Sequence, residues 1–244
     1  MALLVAAVLV QADPSIDALV YLAGHAERRD CDCAPARKGD SGRIVVAFLA
    51  CGFSHLSQDT FSGENFGDVL RRLLPGIVAA QRDDGLFFPD DPSANAWMAF
   101  ALSETFGLTG DQRYKAPARR AAEAIQGMPA SDDDALFCQS LALRSASCEG
   151  LVPAGVKLPV APGGTSPFEI AKTDHRFVLA RGHVRKEHQE WRAQAVAPWR
   201  GLQRKHGCGA GSWESSVETT SYLATVLGRW CYPCRRFGVT EEKE

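Results

Sequence analysis

Three consecutive carboxylates, Asp132-Asp133-Asp134, are the sharpest chemical feature of the 244-residue chain. An acid that protonates an alkene or an epoxide must keep its own proton near neutrality, and burial or neighbouring carboxylates raise its pKa to that end. The same run has a structural reading. Ser131 followed by Asp132 to Asp134 and then Ala135-Leu136-Phe137 is an N-cap with an acidic first turn, which the helix dipole favours. A second set is aromatic: Phe87, Phe88, Trp97, Phe100 and Phe106, with Trp213 later in the chain. Phe87, Trp97, Phe100 and Trp213 are the candidates to line an apolar cavity, where ring faces attract cations. Ordinary core packing is the competing role.

Cysteine and histidine offer metal chemistry. Cys31-x-Cys33 and Cys231-x-x-Cys234 supply four thiolates, enough for a structural zinc site if the two pairs meet. The alternative is free thiols or a local disulfide. Cys51 and Cys138 fall in apolar helical stretches and read as small buried hydrophobes. No cofactor is therefore predicted, with zinc as the alternative. Positive charge is dense at Arg181, Arg185, Lys186, Arg192, Arg200, Arg204 and Lys205. Glu187 and Glu190 interrupt it on a stretch bearing Trp191 and Trp199, a pattern of a solvated helix face. Asp83-Asp84 and Asp90-Asp91 lack the third Asp of a magnesium-binding motif and sit where turns are expected. The Ser54-His55 adjacency makes no dyad, and neither a nucleophile elbow nor a phosphate-cradling glycine loop occurs.

The elements that must position these residues are helical. Ile16, Leu19, Val20 and Ala23 follow helical spacing, as do Phe66, Val69, Leu70, Leu73, Leu74 and Ile77, and later Trp191, Ala195, Trp199 and Leu202. Further helices are expected over Arg43 to His55, Ala94 to Gly107, Pro117 to Gln126, Ala135 to Ser147 and Val217 to Trp230. Sustained period-two alternation is absent, so the fold class is all-α. Hydrophobic residues at 45% and charged residues at 23% suit a globular chain. A net charge of −2 argues against a dedicated nucleic-acid binder. One domain over 15–244 is expected, preceded by an apolar segment 1–14 and interrupted by a Pro/Gly-rich loop over 149–172. The opening segment has no basic residue before its apolar run and is too short to span a bilayer. A cytoplasmic location is the default expectation, with secretion as the alternative.

Two helix ends repeat one another. Gln81-Arg82-Asp83-Asp84-Gly85-Leu86-Phe87 and Gln203-Arg204-Lys205-His206-Gly207, the latter followed by Gly211-Ser212-Trp213, each place Gln, polar residues, Gly and an aromatic after an apolar helix. Pro75 and Pro198 precede them. Repeated helical hairpins are implied. This Gln-to-Gly-to-aromatic pattern resembles the QW repeat of squalene and hopene cyclases. The closer likeness is to bacterial proteins with prenyltransferase and squalene oxidase repeats. It is carried by Ala47 to Ser57, Asp59-Thr60, Gln81 to Gly85, Ala94-Asn95-Ala96 with Ala101 to Asp111, and Gly209 to Trp213. The likeness spans Ser15 to Trp230 and is broken by Glu149 to Arg185.

The resemblance implies an α/α toroid of stacked helical hairpins, open or abbreviated at this length. The family's cyclases use Asp-x-Asp-Asp, and here Ser131 stands where the first Asp belongs. Its protein prenyltransferases hold zinc with Asp, Cys and His. Asp134, Cys138 and one of His175, His183, His188 or His206 supply those types without the family's Asp-x-Cys spacing. The expected function is accordingly a repeat domain without catalysis that binds an apolar small molecule or a protein partner. The alternative is an isoprenoid enzyme, a class II cyclase or prenyltransferase, acting through Asp132, Asp133 and Asp134.

Overall fold

The computed structural model describes residues 14–26, 37–130, 133–152, 170, 186–205, 210–214 and 216–228. Among them are eight helices: α1 (Pro14–Ala26), α2 (Asp40–Ala50), α3 (Phe66–Ala79), α4 (Pro92–Thr109), α5 (Gln112–Gln126), α6 (Asp133–Cys148), α7 (Lys186–Arg200) and α8 (Val217–Gly228). The all-α class holds. One small exception is a two-stranded antiparallel ribbon, β1 (Thr60–Phe61) with β2 (Glu64–Asn65). It turns through Ser62 and Gly63, both at positive φ.

Local chemistry fixes most helix ends. Asn65 caps α3 by accepting from the Asp68 amide, Asp91 caps α4 through the Ala94 amide, and Asp111 caps α5 through the Arg113 amide. The expected helix from Arg43 to His55 instead stops at Ala50. Gly52 at φ 88 reverses the chain, and the Phe53 and Gly52 amides return to Phe48 and Leu49 carbonyls at 3.0 Å, a Schellman ending. Helix α6 ends the same way, with Gly150 at positive φ and Leu151 bonded back to Ala146. Helix α5 begins at Gln112 rather than Pro117, because the Asp111 cap lies outside its apolar stripe and Pro117 is accommodated inside the helix.

Helix α4 is buried on every side from Ala94 to Thr105. It packs on α2, α5 and α6, while α2 packs on α8, and α8 on α1. Adjacent helices thus succeed one another in the order α1, α8, α2, α4, α6. Their shared core includes Leu19, Leu22, Phe48, Phe66, Leu70, Trp97, Leu102, Leu141, Leu223 and Val226.

The two Gln-to-Gly turns are built alike. Gln81 Nε2 donates to the Gly85 carbonyl at 3.1 Å and to the Pro117 carbonyl of α5 at 3.0 Å. Gln203 Nε2 donates to the Gly211 carbonyl at 2.8 Å and to the Pro14 carbonyl of α1 at 2.9 Å. Each turn is closed by a matching pair of backbone bonds. The first has the Arg82 amide to the Leu86 carbonyl at 2.8 Å with the Gly85 amide to the Arg82 carbonyl at 3.0 Å. The second has the Arg204 amide to the Ser212 carbonyl at 2.9 Å with the Gly211 amide to the Arg204 carbonyl at 2.8 Å. Gly85 and Gly211 share positive φ, and a Cβ on either would collide with a carbonyl, that of Arg120 or of Asp17. Those residues lie three places beyond Pro117 and Pro14. Tyr21 and Ala124, the next atoms met, stand seven places beyond. Helix α1 therefore receives the α7–α8 turn in the register in which α5 receives the α3–α4 turn.

Candidate functional site

Helices α2, α4 and α8 contribute first-turn or second-turn residues to one largely buried cluster. Arg43 lies within 3.4 Å of Asp40 Oδ1 and 3.6 Å of Glu218 Oε1, and donates to the Lys38 carbonyl at 3.3 Å. Its guanidinium covers the Trp97 ring, 5.6 Å from the centroid. Trp97 also meets Tyr222 edge-on at 5.6 Å and Phe100 at 6.1 Å. Arg37 adds a second cation to Glu218 at 3.3 Å. From α6 comes Cys138, to which Ser93 Oγ donates at 3.7 Å.

The electrostatics are those of a buried Arg43–Asp40 pair that opens to the surface through half-buried Glu218 and exposed Arg37. Burial alone would lower the Arg43 pKa, but the surrounding Tyr222, Cys138, Glu218 and Asp40 outweigh it and hold the guanidinium charged. Burial raises the Asp40 pKa against the opposing pull of the Arg37 amide and of Arg43. Two donors in this cluster, Arg43 Nε and Trp97 Nε1, are buried without a hydrogen-bond partner among the described residues. Both present N–H groups, which an oxygen acceptor would satisfy.

The candidate aromatic residues divide. Trp97 and Phe100 belong to this cluster. Phe87 and Trp213 instead hold equivalent places in the two repeated turns. The Phe87 amide donates to Asn95 Oδ1 at 2.7 Å, and the Trp213 amide to Thr220 Oγ1 at 3.0 Å. The Trp213 indole also donates to the Trp199 carbonyl at 2.5 Å. Asn95 is fully buried and bonds the Phe88 amide, the Phe88 carbonyl and the Asp91 carbonyl besides.

Of the acidic run, Asp133 and Asp134 open α6, with Asp134 one turn before Cys138. Asp132 and the side chains of Asp133 and Asp134 lie outside the described residues, as do Ser131, Cys31, Cys33, Cys231, Cys234, His175, His183, His206 and the His188 side chain. Among the described residues no group of three or more His, Cys, Asp or Glu is placed to hold a metal ion. None of their helices is long and apolar enough to cross a membrane.

Sequence reasoning missed Asp40, Arg43, Glu218 and Tyr222. Their signal was faint: a charged residue in an otherwise apolar helix, Arg43 in Arg43-Ile44-Val45-Val46, is the one available hint. It also discounted a Ser54–His55 dyad and offered no partner for His55. The imidazole bonds Asp111, not Ser54, whose Oγ accepts from the Leu56 amide. Set against models of protein families, curated proteins and solved structures, the chain matches none of them.

Proposed function

We propose that the chain is a helical repeat protein of the prenyltransferase and squalene-cyclase type, an open or abbreviated α/α toroid. In this reading it binds an apolar molecule, without transforming it, at the N-terminal ends of α2, α4 and α8. The observation that carries the binding site is the pair of buried, unpartnered donors, Arg43 Nε and Trp97 Nε1, set against the Trp97, Phe100 and Tyr222 rings. The repeat architecture is supported by the matching Gln81 and Gln203 anchors.

The test is tryptophan fluorescence and thermal stability of the whole chain titrated with squalene, its epoxide and prenyl diphosphates, alongside product analysis. Binding predicts a saturable change with the epoxide, whose oxygen can accept from Arg43 Nε and Trp97 Nε1, that Tyr222→Ala weakens, with substrate recovered intact. No change with any ligand ends the reading.

A second reading is an isoprenoid enzyme. It is favoured by the position of Asp133 and Asp134 at the start of α6, one turn from Cys138. It requires turnover of squalene or a prenyl diphosphate that Asp133→Asn abolishes.

A further inference from the structure

At the opposite end of α2, the segment that follows it is tied to the start of α5 by one buried imidazole. His55 is 3% exposed, and its Nε2 lies 3.0 Å from Asp111 Oδ2. Asp111 is the N-cap of α5 and is held by Arg113, whose Nη2 is 2.6 Å from the same oxygen. Since a carboxylate only accepts, Nε2 carries the proton of this bond. Nδ1 is then the bare nitrogen, and it is buried with no hydrogen-bond partner among the described residues. The ring packs edge-on to Tyr114 of α5, 5.4 Å between centroids. From α3, Arg71 donates to the His55 carbonyl at 2.5 Å.

A second proton on His55 must therefore go to Nδ1, into a site with no acceptor and no water access. The groups facing the ring are Asp111, which favours a cation, and Arg113 and Arg71, which oppose it. Tyr114 adds an apolar ring edge. An unpaired buried N–H is costly, and turning the segment outward relieves it. We propose that the His55–Asp111 bond is an acid-sensitive tie, closed when His55 is neutral and released, with residues 52–58, when Nδ1 takes a proton.

Burial lowers the His55 pKa despite the Asp111 contact, while Arg113 and Arg71 reinforce the lowering. The open form, with ordinary imidazole behaviour, therefore binds protons first. The tie is at full strength above about pH 6.5 and weakens as pH falls below that value. Release would free Phe53 from its contacts with Phe61 and Phe66. It would do so beside Leu56, which is already 61% exposed.

The experiment is amide hydrogen exchange of the full chain at about pH 7.5 and about pH 5, corrected for intrinsic rates. Protection over residues 52–58 should fall about tenfold in the wild type, while α4 changes little. His55→Gln keeps a donor for Asp111 and cannot titrate, so its protection there should be the same at both pH values. An equal fall in His55→Gln, or no fall in the wild type, overturns the proposal. Should that variant not fold, the imidazole titration of His55 by NMR decides in its place. A midpoint below about 6.5 is expected, and one at or above it overturns the proposal.

Discussion

At the residue scale, single side chains carry bonds that nothing nearby replaces. Asn95 satisfies two backbone amides and two carbonyls of the turn before α4 while fully buried. Asn95→Ala leaves those groups without partners, and a loss of about 3 kcal/mol is expected in urea denaturation. Arg43 is comparable. Arg43→Ala strands the buried Asp40 carboxylate and removes the cation over Trp97, so a loss of about 3 kcal/mol or more is expected. A midpoint unchanged from wild type would show that the Arg43–Asp40 pair adds nothing to stability. Gly85 and Gly211 are constrained twice, by positive φ and by the carbonyl each one meets. Alanine at either position should cost about 2 kcal/mol or more, because neither neighbour is a flexible side chain that yields.

At the element scale, the equivalence of α1 and α5 makes a prediction of its own. In the first turn, Arg120 Nη2 donates to Gln81 Oε1 at 2.7 Å. Asp17 stands in the matching place on α1, and Gln203 Oε1 is buried without a donor among the described residues. An arginine at that place supplies the missing donor. Asp17→Arg should be more stable than Asp17→Ala by about 1 kcal/mol, and the difference should vanish in a Gln203→Leu background. If the difference persists there, the matched register of the two turns is not what produces it.

At the scale of the whole molecule, acid weakens the fold through two groups acting in the same direction. Arg113 and the His55 bond hold the Asp111 carboxyl below the usual carboxylate range, so its contribution is present above about pH 4 and is lost as pH falls further. His55, with its pKa lowered mainly by burial, adds a decline that begins near pH 6.5. Urea midpoints should therefore be flat from about pH 8 to 7 and fall below about 6.5, with the first stage of the fall absent in His55→Gln. Acidic loss that starts only near pH 4 would assign the whole effect to carboxylates.

Periodicity and caps alone determined much of this molecule. Phe66 to Ile77 could only be an amphipathic helix, and Gln81 to Phe87 and Gln203 to Trp213 were recognisable as the same turn. These are legible because they depend on residues close in sequence. The tertiary structure decided which helix each turn would meet. Pro14 and Pro117 offer carbonyls, but no local rule sets Gln203 against the first helix of the chain. The ion cluster was out of reach for the same reason: Arg43 and Glu218 are 175 residues apart, and the charge of one explains the other only once α2 and α8 are side by side. His55 shows the limit most directly, since no residue near it in sequence pairs with it and Asp111, brought in by the start of α5, is the one it bonds.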